Sequence, residues 1–131
     1  MQLRGLHPAL RPFAAAPLDW AARHGVRITV TSVYRPLDQQ RSLRDRWERC
    51  VAQGRWRPDL PADQRPAQCR WPANRPGDSA HNYGLAWDST IEPASLMPWW
   101  VAVRRAWGWV VPDHDAIHAE VPDWRRVVRA A

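Results

Sequence analysis

With 131 residues and a formal net charge of +6, the chain is long enough for one compact domain with one core and too short for two. Ten tryptophans supply large apolar anchors, so disorder is expected only where the thirteen prolines cluster. All nineteen basic residues are arginine, and this balance suits a polyanionic partner in general (nucleic acid, anionic cell wall or membrane surface) as readily as plain solubility charge.

Arg4, His7, Pro8, Arg11 and Pro12 interrupt the N-terminal segment before an apolar run develops, and the longest apolar runs elsewhere are FAAAPL and WWVAV. Neither a signal peptide nor a membrane span is expected, so a substrate outside the cytoplasm would need another route of delivery. From Pro8 to His24, Leu10, Phe13, Ala14, Leu18 and Ala21 recur at helical spacing, with Gly25 as the stop and Pro17 as a kink or break. VRITVTSVYR then alternates Val26, Ile28 and Val30 with Arg27, Thr29 and Thr31, which predicts a half-buried strand ending near Tyr34 and Arg35.

Asp38 is placed to start a second helix whose apolar face is Leu43, Trp47, Cys50 and Val51, with Gly54 after its end. Residues 54–79 hold five prolines and no periodicity, which predicts a long loop of the functional or mobile kind. Cys50 and Cys69 lack the CxxC spacing of a thiolate zinc site. Two free or buried thiols are expected of a protein made in a reducing compartment, and a disulfide closing the 50–69 loop is the alternative after release to an oxidising one.

A strand is predicted around Leu85–Thr90, followed by a helix with Leu96, Trp100, Val103 and Trp107 on one face and Gly108 as its stop. WVV and AIHAEV read as two more strands joined by the acidic turn PDHD. Helices flanking a small, mostly antiparallel sheet make an α+β domain, and the whole of 1–131 is read as one domain.

His81 and Asp88 straddle the turn at Gly84, with Asp88 on the strand face shared with Ala86. His118 and Glu120 share a face of the last strand because side chains alternate. Two imidazoles and one carboxylate, with a fourth position left for water, form the ligand set of a catalytic zinc site, the alternative being isolated core or surface histidines. Such a metal polarises a carbonyl and activates water, which is what amide hydrolysis needs.

SAHNYGLAWD fits the pattern S-x-H-x-x-G-x-A-x-D and resembles a family of peptidoglycan-cleaving zinc peptidases. That family, peptidase family M15, includes D-alanyl-D-alanine carboxypeptidases of the VanY and VanX type and L-alanyl-D-glutamate endolysins of phages. TSVYRPLDQQ is similar to its S-G-Y-R-x-x-x-x-Q segment, and GWVVPDHDAIHAEV to its closing strand, in family order from Ser32 to Glu120. The resemblance implies a hedgehog-like D-Ala-D-Ala-peptidase fold and one zinc ion bound by His81, Asp88 and His118. It also places Asp115 as the general acid/base that takes a proton from the attacking water and passes it to the leaving amine.

Glu120 is the rival base on strand geometry, and otherwise a partner orienting a histidine. Arg35 matches the family arginine that grips a substrate carboxylate or stabilises the oxyanion. Tyr34, Gln40 and Ser79 fall at positions that bind substrate or support the site. Val33 stands where the family usually has glycine, so the local turn is expected to differ.

The implied activity is hydrolysis of an amide bond in peptidoglycan stem peptides. Asp at position 115 leans the resemblance toward the endolysin-like members, and an N-terminus without a signal, a basic charge suited to an anionic wall and a lone catalytic domain together make a phage or prophage endolysin, released by a holin and acting as a monomer, the expectation. A D,D-carboxypeptidase releasing terminal D-Ala is the alternative. From another class, a non-catalytic zinc-stabilised wall-binding or phage structural module would lack a ligand or the base. A nucleic-acid partner is not expected, since the arginines are spread along the chain and the aromatics sit at core spacing.

Overall fold

A computed structural model describes residues 2–130. The described elements are four α-helices and a three-stranded antiparallel sheet: α1 (Arg11–Arg23), β1 (Arg27–Ser32), α2 (Leu37–Ala52), β2 (Ala86–Glu92), α3 (Met97–Ala106), β3 (His118–Glu120) and α4 (Trp124–Ala130), with short 3-10 turns between them. The sheet order is β1-β2-β3, which makes β2 central and agrees with the α+β expectation.

Residues alternate across β2 as the period of a strand requires. Trp87 and Ile91 belong to the main core with Ala14, Ala21, Trp100, Val103 and Trp109, which places α1 and α3 on that face. Trp87 packs edge-on against both Trp100 and Trp109, and the Trp100 indole donates to Ser89 Oγ at 2.8 Å. Ala86 joins a second cluster on the other face with Ala80, Leu85 and Trp124, which α4 helps to cover. Asp88 shares the face of Ala86, so its carboxylate lies away from the tryptophan core.

Pro17 does not break α1, contrary to the expectation of an interrupted helix, and lies buried within the continuous helix. Its missing N–H leaves the Phe13 carbonyl without its helical partner, and the Trp109 indole N–H supplies the substitute at 3.0 Å. α2 starts at Leu37 with Asp38 in its first turn, one residue before the expected start. Its expected apolar face is only partly realised: Cys50 is buried, Leu43 and Trp47 are half-buried, and Val51 is exposed. The reason is that α2 packs against the 54–79 segment and not against the tryptophan core.

Cys50 and Cys69 form a disulfide, which corrects the expectation of two thiols. Cys50 lies in the last turn of α2, Cys69 sits in a 3-10 turn packed against that helix, and their Cα atoms are 5.7 Å apart, within bridging range. The predicted loop therefore contains two short 3-10 turns and a covalent tie to the helix before it. Trp107 also departs from expectation. It caps α3 beyond its last turn and is 42 % exposed, because the helix ends before Trp107 can join the buried face.

At the C-terminal end, β3 is three residues long and the WVV stretch contributes a single bridge, Val110 to Glu120, in place of a full strand. α4 was not anticipated. Its start is marked by Asp123, whose carbonyl accepts the N–H groups of Arg126 and Val127.

Candidate active site

The sheet register brings the predicted residues together. Asp88 on the central strand pairs with His118 of β3 on one side and with Ser32 of β1 on the other, beside an irregularity between Val30 and Ser32. His81 arrives from the 3-10 turn Ala80–Tyr83, which precedes β2. Ser79 starts that turn, its Oγ accepting the His81 N–H at 3.3 Å.

Gly84 closes the turn with φ 68°, and a Cβ there would lie 2.6 Å from the Gly5 carbonyl oxygen. The position needs glycine on both counts. The N-terminal segment lies against the turn, the His7 N–H donating to the Gly84 carbonyl at 2.9 Å.

His81 Nε2 and His118 Nδ1 lie 3.1 and 3.0 Å from the same atom, Asp88 Oδ1. The remaining ring nitrogens face acceptors: His81 Nδ1 is 2.6 Å from the Val33 carbonyl, and His118 Nε2 is 2.8 Å from Glu120 Oε1. A ring N–H donated to each of these acceptors leaves a lone pair on His81 Nε2 and on His118 Nδ1. Two lone pairs and a carboxylate oxygen then converge on one small volume, an arrangement that repels itself unless a cation occupies it.

One ligand atom from each of His81, Asp88 and His118 falls within a span of 4.8 Å, and two imidazoles with one carboxylate are a zinc-type donor set. Without a cation the same two ring nitrogens donate to Asp88 instead. Burial pushes the Asp88 carboxyl up, but the hydrogen bonds from His118 and His81 outweigh it and hold the group well below the usual carboxylate range. Burial lowers His118, yet its hydrogen bonds to Asp88 and Glu120 prevail and raise it to about 9. A proton on His118 thus stands in for a metal's charge in the bare protein.

Asp115 lies in the turn before β3, its N–H donating to the Pro112 carbonyl at 3.2 Å and its carbonyl accepting the His118 N–H at 3.0 Å. Its carboxyl is pushed up chiefly by burial, against the attraction of His118. The chain does turn between Asp115 and His118, as an offset of three residues requires. Glu120 stands behind His118, on the side of the imidazole away from Asp88.

Arg35 is placed by its backbone: its N–H donates to the His81 carbonyl at 3.0 Å, and its carbonyl accepts from Asn82 Nδ2 at 2.9 Å. Arg35 Nη1 donates to Gln40 Oε1 at 3.0 Å, and Gln40 Nε2 donates to the Asn74 carbonyl at 2.8 Å. Gln40 is 1 % exposed with both ends of its amide engaged, so it braces the arginine. The Tyr34 ring is exposed and Ser79 is buried beneath the turn.

Sequence reasoning passed over Asn82, which links the Arg35 carbonyl to the Gly77 N–H, and Trp124, which packs on Tyr83 beside the histidine turn. It also passed over Arg104, which reaches the carbonyls of Ala116 and Ile117. Asn82 stood inside the SAHNYG motif. Nothing in the sequence distinguished Trp124 or Arg104 from a surface helix residue.

A sheet presenting a partly buried His-Asp-His cluster, with a carboxylate behind one histidine and an arginine whose backbone is tied to the histidine turn, is the arrangement of a metal-dependent hydrolase. Residues 6–110 match the family VanY, D-alanyl-D-alanine carboxypeptidase, and the chain belongs to that family. It is accordingly an enzyme of the peptidoglycan-peptidase kind, and the resemblance drawn from its motifs holds.

Among solved structures, the chain is similar to VanYB in complex with D-alanine-D-alanine, at 18 % identity and a TM-score of 0.66, covering 95 % of this chain and 75 % of that one. It is also similar to a variant of the vancomycin-resistance D,D-pentapeptidase VanY from a VanB-type cassette in complex with Zn(II), at 18 % identity and a TM-score of 0.65, covering 95 % and 76 %. The LD-carboxypeptidase LdcB matches at 16 % identity and a TM-score of 0.64, covering 95 % of this chain and 64 % of LdcB. No curated protein matches by sequence. No helix among the described residues is long and apolar enough to cross a membrane.

Proposed function

We propose that this protein is a zinc peptidase that hydrolyses an amide bond in a peptidoglycan stem peptide, acting as a carboxypeptidase that releases a terminal D-alanine. The convergence of His81 Nε2, His118 Nδ1 and Asp88 Oδ1, with both imidazoles backed by acceptors, carries the reading. His81, Asp88 and His118 would hold the zinc, which would supply Lewis-acid polarisation of the scissile carbonyl and activation of water.

Asp115 takes a proton from the attacking water and delivers it to the leaving amine nitrogen. Glu120 keeps the His118 Nε2–H engaged and so fixes the ring, a role that leaves Asp115 as the base. Arg35, with no carboxylate of the described residues in ion-pair contact, grips the C-terminal carboxylate of the substrate. Gln40 and Asn82 hold that arginine in place, Ser79 holds the histidine turn, and Tyr34 offers an exposed ring to the substrate beside Arg35.

The membership in a carboxypeptidase family supports the exopeptidase reading. The disulfide suits action outside the reducing cytoplasm, at the anionic wall that the net positive charge favours.

One observation favours a second reading. Aspartate at position 115 is the residue that the resemblance associates with endolysins, which would cut within the stem and reach the wall after holin-mediated release.

Mass spectrometry of stem pentapeptide and of intact muropeptides treated with wild type, chelated protein and His81→Ala is the test. Loss of one alanine identifies the carboxypeptidase, and scission within the stem the endopeptidase. Full activity in the chelated protein overturns the zinc reading.

A further inference from the structure

Arg104, on the last turn of α3, is 0 % exposed, yet its contacts are all to uncharged groups. Nε donates to the Trp100 carbonyl at 3.3 Å, Nη1 to the Ile117 carbonyl at 3.2 Å, and Nη2 to the Ala116 carbonyl, with Met97 Sδ at 3.6 Å. The guanidinium also lies over the Trp100 ring, 5.3 Å from its centre.

An apolar residue would fill this helix position without the cost of burying a guanidinium that has no carboxylate in contact. What only the arginine fork offers is donation to two successive carbonyls at once. Those carbonyls belong to the two residues between Asp115 and His118.

The two carbonyls differ in what else holds them. Ile117 O also accepts the Ser89 N–H at 3.0 Å, and His118 pairs with Asp88 in the sheet. The metal-ligand end of the segment is therefore fixed without Arg104. Asp115 is tied at its N–H to the Pro112 carbonyl and at its own carbonyl to the His118 N–H, but Ala116 O, on the peptide that follows Asp115, has no other donor among the described residues and depends on the fork.

We propose that Arg104 is a positioning residue for the reaction: it holds the Ala116 carbonyl so that Asp115 stands beside the metal ligands in the geometry proton transfer needs. The proposal rests on the peptidase reading above. It separates two functions that sit three residues apart, since loss of the fork displaces the base and leaves the ligands in place.

The test uses the full chain loaded with zinc, in wild-type, Arg104→Met and Arg104→Lys forms. Stem-pentapeptide cleavage is measured as separate kcat and KM, together with bound zinc per chain and thermal stability. Arg104→Met is expected to keep one zinc, with kcat lower by about 10²-fold and KM within about twofold, since a misplaced catalytic group costs turnover and not ground-state binding. Arg104→Lys keeps a cation and an aliphatic stem but not the fork, and falls between the two.

A folded, zinc-loaded Arg104→Met with wild-type kcat overturns the proposal. So does a loss that falls on zinc content or KM, or failure of both variants to fold, which would assign Arg104 to the scaffold alone. Wild type that binds zinc but cleaves no stem peptide overturns the peptidase reading itself.

Discussion

His81, Asp88 and His118 are positioned by β2, by β3 and by a turn sealed under Gly84, whereas Arg35 follows the end of β1 and is braced by one side chain of α2, Gln40, itself held by a carbonyl of the 54–79 segment. The first group rests on backbone ladders and two apolar clusters. The Arg35 backbone is tied to the His81 turn, but its guanidinium rests on a chain of single hydrogen bonds, from Arg35 to Gln40 to Asn74, in a segment tied to α2 by the Cys50–Cys69 disulfide. The contrast teaches that the metal-binding half belongs to the scaffold itself, while the arginine half is an attachment whose geometry depends on a few side chains and one covalent bond.

The largest expected effect comes from breaking the metal half. Chelation, or His81→Ala, is expected to lower hydrolysis by about 10³-fold or more, because the Lewis acid and its activated water are lost together. Metal analysis and a peptide assay check it, and retention of activity without metal would falsify the assignment.

Asp115→Asn separates proton transfer from metal binding. It should retain zinc and lose about 10²- to 10⁴-fold in kcat, the range of a general acid–base group. If Asp115→Asn turns over normally while Glu120→Gln does not, the base is Glu120.

Under the assignment made here, Glu120→Gln has the smaller effect. It weakens the hold on the His118 ring, and zinc affinity is expected to fall by about 10- to 100-fold, measured by competition with a chelator.

Breaking the arginine half should leave zinc binding alone. Gln40→Met removes the brace on Arg35 and the donor to the Asn74 carbonyl. It is expected to raise KM for the stem peptide, with bound zinc unchanged. Cys50→Ser with Cys69→Ser frees a 19-residue separation and is expected to cost about 3 kcal/mol of stability, read in denaturant unfolding. Its smaller consequence for activity should follow Gln40→Met in sign. Equal damage to zinc binding from either change would erase the distinction between the halves.

Local patterns marked much of this molecule. Alternation along VRITVTS placed the start of β1 within a residue, because a half-buried strand writes its period into the chain, but the strand ends at Ser32, short of the expected Tyr34 and Arg35; β2 lies within two residues of its expected bounds and is buried on both faces. Gly25 and Gly108 marked helix ends, and the histidine–aspartate spacing in SAHNYGLAWD was legible because a turn and a strand place both residues.

Pro17 misled because its cost is met 92 residues later in the chain, by the Trp109 indole. Val51 and Trp107 misled because spacing gives a face but not what packs against it, and α2 faces the 54–79 segment. The cysteines misled because pairing depends on where two distant elements come to lie.

By itself, the sequence determined the class of the domain, the residues able to hold a metal, and the family whose pattern they follow. Each of these is encoded in side-chain chemistry and short-range period. Only the tertiary structure decided which ring nitrogens face Asp88, that Glu120 stands behind His118, that Gln40 serves Arg35, and that Arg104 holds the turn carrying Asp115. Those relations are distances between residues far apart in the chain or on different elements, and they exist only once the sheet register and the core have set them.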